Sequence, residues 1–420
     1  MMEQTETKHE TKELTRAAAA IAECRLIATM SEEPDRTTRR FLTPPVATVH
    51  AHLRRRMQAL GMTVQTDGAG NLRGLWQPEG AREKRLILGS HIDTVPNAGA
   101  FDGVLGVVLA LEWVRMAQKL EIPRTIEVIA FSEEEGVRYG VPFLGSRAVA
   151  GIFDPKMLAY EDADGIRMDD AIRAFGLDPA RIPEAILDDA VLGYVEIHIE
   201  QGPVLEAEGL SLAVVEGIAG QSRLGFRFTG QANHAGTTPM HLRRDALAAA
   251  SEWMTAVETS AGEVEGLVAT VGKIRVEPDA GNVIPGVVDL SLDVRHISNR
   301  TRGHYVQQFT RLASTIAHRR GLEVEWVQKL DERSVKMDNI LSSDLHAAVE
   351  AAGFPRRRMP SGAGHDAMVM AVRVPSAMLF LRSPGGISHH PAEAVLEQDV
   401  EAALKVGAFF LRRLTGLYKP

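Results

Sequence analysis

The apolar run Leu86-Ile87-Leu88 ends abruptly in Gly89-Ser90-His91-Ile92-Asp93, so a histidine and a carboxylate arrive where a buried strand gives way to a loop. Eleven residues beyond the histidine, Asp102 sits in a glycine-rich bend, just ahead of an apolar helix expected to begin near Val104. An imidazole grouped with two carboxylates is a ligand set for a divalent cation of intermediate softness. The plainer alternative is a loop histidine salt-bridged to Asp93, and this segment alone does not choose between the two.

The same arrangement recurs. The strand Thr125 to Phe131 delivers Ser132-Glu133-Glu134-Glu135-Gly136, three adjacent acids that raise one another's pKa unless cations compensate. A helix N-terminus would tolerate one or two of them through its dipole. A third apolar strand, from Tyr194, carries His198 near its end and runs on through Glu200 to Gln201. A fourth, Ala377 to Leu381, is followed by Gly385-Gly386-Ile387-Ser388-His389-His390-Pro391. Open α/β sheets gather ligands at the carboxyl ends of their strands, so the four loops are expected to converge on one metal site.

The elements that must hold these loops are readable from periodicity. Up to about Glu208, short apolar runs alternate with helices, as in a largely parallel sheet covered on both faces. From Ile218 to about Gln328 the pattern changes. Arg223 to Phe228 and Val288 to Arg295 alternate apolar and polar residues, the mark of half-exposed antiparallel strands. The order there is strand, helix (Leu242 to Thr259), strand (Leu267 to Val276), strand (Val287 to Arg295), helix (Arg302 to His318), strand (Leu322 to Val327), a split β-α-β-β-α-β arrangement. The pattern of the first part then returns. The expected fold class is α/β: a large, mostly parallel-sheet catalytic domain (residues 1–216 and 331–420) with a smaller α+β domain (217–330) inserted into it.

Composition sets the remaining bounds. At 420 residues the chain has room for two domains and a substantial core. Forty-seven basic against 55 acidic residues, with no basic stripe, argue against nucleic acid as a partner. The single cysteine, Cys24, excludes an internal disulfide and a thiolate metal cluster, and it falls in an amphipathic segment from Ala17 to Met30. Residues 1–12 are polar and charged without an apolar run, which argues against a signal peptide, and roughly the first ten are expected to be disordered. No apolar stretch reaches the length of a membrane span, so a cytoplasmic protein is expected.

The blocks GSHIDTVPNAGAFDGVLG, FSEEEGVRYG, YVEIHIEQGPVLE, HAGTTPM, GNVIPG, SGAGHDA and GISHHPAE, in order from about Glu23 to Leu414, resemble the allantoate amidohydrolases and N-carbamoyl-L-amino-acid hydrolases. Peptidase-like β-ureidopropionases resemble them too, and all belong to the clan of two-metal aminoacylases and carboxypeptidases. The resemblance implies that the inserted domain is a lid and dimerisation surface in a homodimer. It also implies one metal on His91, Asp102 and His198, and a second on Asp102, Glu135 and His389, with Asp102 bridging. A bridging anion is needed because two cations so close repel one another. Imidazole and carboxylate ligands suit Zn or Mn, and also Ni or Co. In the clan the peptide bond after the bridging aspartate is often cis. Asp93 would accept the second ring N–H of His91 and fix its tautomer.

By the same resemblance, Glu134 is the general base that takes a proton from water and returns it to the leaving nitrogen, and Glu135 is the ligand. The register of the wider clan would move these roles to Glu133 and Glu134. His234 would donate to the developing oxyanion from across a subunit boundary. Asn282 and Arg295 would grip a substrate carboxylate, Arg295 from the polar face of its strand beside Asp293 and Ser291. Gln201 would meet the ureido or amide group, and Gly364 and His365 would line the substrate. Without the resemblance, His234 reads as an ordinary loop histidine, Arg295 as a surface ion pair, and Asp366 equally as a helix cap.

The activity this implies is cleavage of the carbamoyl C–N bond of a carboxylate-bearing substrate, with release of ammonia and carbon dioxide. Allantoate, an intermediate of purine breakdown, is the first choice. The near alternative is an N-carbamoyl-L-amino acid or β-ureidopropionate. An aminoacylase or dipeptidase of the same clan is more distant, and a metal-binding protein without catalysis would need a missing base.

Overall fold

The computed structural model describes residues 15–415, and the polar segment 1–12 lies outside them. Two compact units emerge. One comprises Met1–Glu216, Met337–Met359 and His365–Pro420; the other comprises Gly217–Lys336 and Pro360–Gly364. The second unit extends past residue 330 for a backbone reason. Val335 and Lys336 pair with Ile218 and Gly217, and the Ala219 N–H donates to the Ser361 carbonyl at 2.9 Å.

In chain order the first unit contains β1 (Thr37–Arg39), β2 (Thr63–Thr66), β3 (Leu72–Trp76), β4 (Arg82–His91), β5 (Thr94–Ala98), β6 (Arg124–Phe131), β7 (Val191–Ile199) and β8 (Leu212–Ile218), which runs into the second. The second contains β9 (Gly220–Thr229), β10 (Asn233–His234), β11 (Val268–Glu277), β12 (Val283–Ile284), β13 (Val287–His296), β14 (Glu323–Glu332) and β15 (Val335–Lys336). Then follow β16 (Arg358–Ser361) and β17 (Ser376–Leu381).

From β8 onward the large sheet has the order β8-β17-β7-β4-β6-β3-β2, with β15 and β16 also paired to β8. Its centre, β17-β7-β4-β6, is parallel, whereas β8, β3 and β2 are antiparallel to their neighbours. The sheet is therefore mixed, and the expectation of a mostly parallel one holds for its centre only. Short connections at the flank, such as the one from β2 to β3, can only reverse the chain, while a parallel pair needs a crossover. Between β4 and β6 that crossover is the helix Val104–Lys119, buried along nearly its whole length. It packs on β4, β6 and β7 from one side and on the helices Arg16–Ala28 and Glu397–Leu414 from the other. Gly106 permits this: a Cβ there would come within 2.1 Å of the Ile197 carbonyl oxygen. The first turn of the helix thus lies directly against the strands whose ends carry the histidines.

The second unit has an antiparallel sheet of order β11-β13-β9-β14, with the helices Ala246–Gly262 and Asn299–Arg319 on one face. Strand β13 alternates strictly, burying Val288, Leu290, Leu292 and Val294 against Phe226, Phe228, Trp253 and Phe309. The first helix begins at Ala246 rather than Leu242, because Asp245 caps it by accepting the Ala248 N–H at 3.0 Å. Among the described residues no helix is long and apolar enough to cross a membrane.

Candidate metal centre

Because β17, β7, β4 and β6 are parallel neighbours, their carboxyl ends fall side by side. His389 follows β17, His198 lies near the end of β7, His91 ends β4, and the glutamate triplet follows β6. Asp102 enters from the turn before the helix Val104–Lys119. Its Oδ1 lies 3.6 Å from Nε2 of His91 and 3.2 Å from Nε2 of His198. Its Oδ2 lies 3.2 Å from Nε2 of His389, which in turn is 3.3 Å from Oε1 of Glu135. One carboxylate thus serves two clusters, His91-Asp102-His198 and Asp102-Glu135-His389.

The donor chemistry fits divalent cations. Nδ1 of His91 lies 3.0 Å from the Asp93 carbonyl oxygen and Nδ1 of His198 lies 2.9 Å from that of Ile199, so the ring protons belong at Nδ1. Both Nε2 lone pairs then face each other at 3.4 Å and face Oδ1 of Asp102, a buried acceptor with no donor placed to satisfy it. Hydrogen bonding to Asp102 and Glu135 raises His389 to about 10. Burial, the largest single influence, works to lower His91 and His198, but the carboxylates around them, Asp102 first, together outweigh it and both are raised. Burial alone would raise Asp102, yet the three histidines hold it well below the usual range.

Gly103 is what lets Asp102 approach. It has φ 65°, and a Cβ there would come within 2.5 Å of the His91 ring. The resemblance suggested a cis bond after Asp102; among the described residues the cis peptide is at Glu277–Pro278.

The three glutamates separate cleanly. Glu133, at φ 50°, turns its carboxylate away to accept the N–H groups of Phe41 (2.9 Å) and Arg138 (2.8 Å), and burial raises it to about 8. Glu134 groups with His91 and Glu135, and burial raises it well above the ordinary range. The two residues facing the cluster are therefore Glu134 and Glu135. Asp93 meets the His91 ring N–H as expected, but through its backbone rather than its side chain. The partner of His91 is its carbonyl, while its carboxylate accepts the backbone N–H groups of Glu134 (2.9 Å) and Glu135 (3.0 Å).

Gln201, at φ 58°, donates from Nε2 to Oδ2 of Asp102 at 2.9 Å, leaving its Oε1 without a hydrogen-bond partner among the described residues. His365 is buried against His198, ring centroids 4.4 Å apart, and burial holds it well below its usual value. Asp366 does not cap its short helix. That place is taken by His365, and the Asp366 carboxyl is fully buried. Sequence reasoning passed over Glu196, a buried carboxylate that accepts from Ser90 Oγ (2.9 Å) and Ala367 N–H (2.8 Å) behind His198. Its signal was present: an acid inside an otherwise apolar strand, two residues before a histidine.

In the second unit, His234 pairs with Val283 across β10 and β12, and the Ala235 N–H donates to the Asn282 carbonyl at 2.9 Å. Nδ1 of His234 accepts the N–H groups of Gly236 (3.0 Å) and Thr237 (3.2 Å), so its exposed Nε2 carries the proton and is a donor. Arg295 leaves the polar face of β13. It binds Asp293 through Nε (2.9 Å) and donates from a terminal nitrogen to the Gly362 carbonyl at 2.7 Å. It lines a cavity of about 550 Å³ with Val268, Thr270 and Ile297. Gly364 is exposed at the last position of this unit.

A cluster of three histidines and carboxylates shared through one aspartate, at the carboxyl ends of parallel strands, is the site of a metal-dependent hydrolase. The model of peptidase family M20/M25/M40 matches residues 87–413, and the chain belongs to that family; it is a hydrolase of C–N bonds. Similar proteins include an allantoate deiminase of Arabidopsis thaliana, 37% identical, with 94% of this chain and 82% of that protein covered. An N-carbamoyl-L-amino acid amidohydrolase of Geobacillus stearothermophilus is 38% identical over 83% of this chain and 86% of its own. A crystal structure of an amidase of the hydantoinase/carbamoylase family from Burkholderia multivorans superposes with a TM-score of 0.89 at 30% identity, covering 95% of this chain and 98% of that one.

Proposed function

We propose that this enzyme hydrolyses the carbamoyl C–N bond of a ureido substrate bearing a carboxylate, with allantoate as the first candidate. The observation that carries the reading is the Asp102-centred double cluster with the buried carboxylate of Glu134 beside it. Relatives named allantoate deiminase and allantoate amidohydrolase, 36–37% identical over 90% or more of the chain, support the substrate. The second reading, an N-carbamoyl-L-amino acid, is favoured by the 38% identical relative of that name.

His91, Asp102 and His198 would hold one divalent cation, and Asp102, Glu135 and His389 the other. Bound there, the pair would act as a Lewis acid on the carbamoyl oxygen and acidify water. Glu134 takes the proton from the attacking water as its oxygen adds to the carbamoyl carbon. It then delivers that proton to the leaving nitrogen as the C–N bond breaks. Burial suits it to both roles, since it raises the carboxyl's affinity for the proton it must carry. Gln201 anchors Asp102 with its amide N–H and offers Oε1 to a ureido N–H. His234 donates through Nε2 to the developing oxyanion, and Arg295 with Asn282 holds the substrate carboxylate, His365 and Gly364 lining the path. In this proposal the protein is a homodimer, with zinc or manganese as the native metal and the cytoplasm as its compartment.

The test is an ammonia-release assay on allantoate, N-carbamoyl-β-alanine and N-carbamoyl-L-methionine. The protein is first dialysed against chelator, then supplied with Mn, Zn, Ni or Co. Ammonia from allantoate that disappears with chelator and returns with metal is expected. Release from the carbamoyl amino acids alone would transfer the assignment to the second reading.

A further inference from the structure

Glu393 lies in the same loop as His389, yet its buried carboxylate is directed at a turn 291 residues earlier in the chain. Oε1 accepts the backbone N–H groups of Phe101 and Asp102, each at 3.0 Å. Oε2 accepts the hydroxyl of Ser388 at 3.0 Å, and that hydroxyl also stands 3.3 Å from Oδ2 of Asp102. A turn brings this about, closed by the Glu393 N–H donating to the His390 carbonyl at 3.0 Å. Chain passes so close on the other side that a Cβ on Gly99 would lie 2.4 Å from the Glu393 Cβ.

Among the described residues Glu393 is the side chain that accepts both of these N–H groups. Phe101 and Asp102 lie just before Gly103, the N-cap of the helix Val104–Lys119, so their N–H groups point outside the helix and need an acceptor from another segment. Glu393 satisfies both and fixes the backbone from which the shared carboxylate projects. Ser388 has one hydroxyl hydrogen for two carboxylates. Its shorter contact is with Glu393, so the residue before His389 is held to the same carboxylate that grips the Asp102 turn.

We propose that Glu393 is a positioning residue of the metal centre: it clamps the Asp102 turn to the His389 loop and so sets the affinity of the second cation, the one held by Asp102, Glu135 and His389. This rests on the metal-centre reading above, and wild-type stoichiometry checks that reading separately.

The experiment uses the full chain, stripped with chelator and titrated with Zn or Mn alone, with calorimetry for affinity and elemental analysis for stoichiometry. Wild type is expected to take two ions per chain. Glu393→Ala is expected to keep the first and bind the second roughly 10–100-fold more weakly, as loss of an outer partner does at other metal sites. Glu393→Gln, whose Oε1 still accepts both N–H groups and whose Nε2 can donate to Ser388, is expected to recover most of that affinity. Ser388→Ala, which removes the hydroxyl's contacts with Glu393 and Asp102 but leaves Glu393 on the two N–H groups, is expected to weaken the second ion as well. Melting with and without metal separates a structural role, because a ligand stabilises in proportion to its affinity. An equal fall in Tm in both states, with unchanged affinity for the second ion, would make Glu393 a support of the fold and overturn the proposal. Should Glu393→Ala not fold, unchanged affinity in Ser388→Ala overturns it. A wild type that never takes two ions overturns the metal-centre reading itself.

Discussion

Glu133, Glu134 and Glu135 are the same residue type three times over, and only the backbone assigns them different work. The left-handed Glu133 sends its carboxylate to the N–H groups of Phe41 and Arg138, and the next two face the histidines. Glu134→Gln is therefore expected to retain both metals while turnover falls by about three or more orders of magnitude, since base and acid roles are lost together. Glu135→Gln is expected to lose the second metal. Elemental analysis beside kinetics decides: if Glu134→Gln is the variant that loses an ion, the roles are shifted by one. The five residues proposed as ligands could be picked out because histidines and acids at the ends of apolar strands stand out by type, and the fold groups them. The Asp93 carboxylate and Glu393 could not, because their partners are backbone N–H groups 41 and 291 residues away, and a backbone donor leaves no trace in residue type.

At the level of elements, alternation was legible where one sheet face is buried, as in β13, and it put Arg295 on the polar side. Strand direction was less so: β3 and β6 are equally apolar-rich runs in one sheet, and only the connection decides that they run antiparallel. Arg295→Ala is expected to weaken a carboxylate-bearing substrate toward the lower end of about 2–5 kcal/mol, because the guanidinium is partly exposed and shared with Asp293. The effect belongs in KM, with metal content unchanged, and equal KM for variant and wild type would reduce Arg295 to a surface ion pair. A second element carries a pH effect. His50, inside the helix Pro44–Ala59, is buried edge-on to Phe175, with Nε2 unpartnered among the described residues, and burial lowers it to about 4. Between pH 4 and 6.5 the unfolded chain binds a proton that the folded chain refuses. The stability His50 supplies is thus complete above about 6.5 and is lost as pH falls toward 4, by about 2 kcal/mol at pH 5. Urea unfolding at pH 7.5 and 5.0 checks this. His50→Leu is expected to show a smaller acid loss than wild type, and an equal loss would place the sensitivity elsewhere.

At the scale of the molecule, a switch from buried strand runs to strict alternation near Ile218 made the insertion legible. The exact joints were not, since residues 360–364 join the second unit through single backbone hydrogen bonds such as that from Ala219 to Ser361. All the candidate metal ligands belong to the first unit, whereas His234 belongs to the second. Removing one oxyanion donor typically costs about 10²–10³ in kcat, so His234→Ala is expected to be folded, metal-replete and slow. The proposed dimer gives a sharper consequence, because an active site would combine Glu134 of one subunit with His234 of the other. Neither His234→Ala nor Glu134→Gln has a complete site in its own homodimer. Mixed dimers have one site with both groups intact and one with neither. Random re-pairing of equal amounts makes about half the dimers mixed, so roughly a quarter of the wild-type ammonia release is expected to return. Subunit exchange is verified with differently tagged chains. If tagged mixed dimers form and stay as slow as either parent, His234 acts within its own chain or has no part in the reaction.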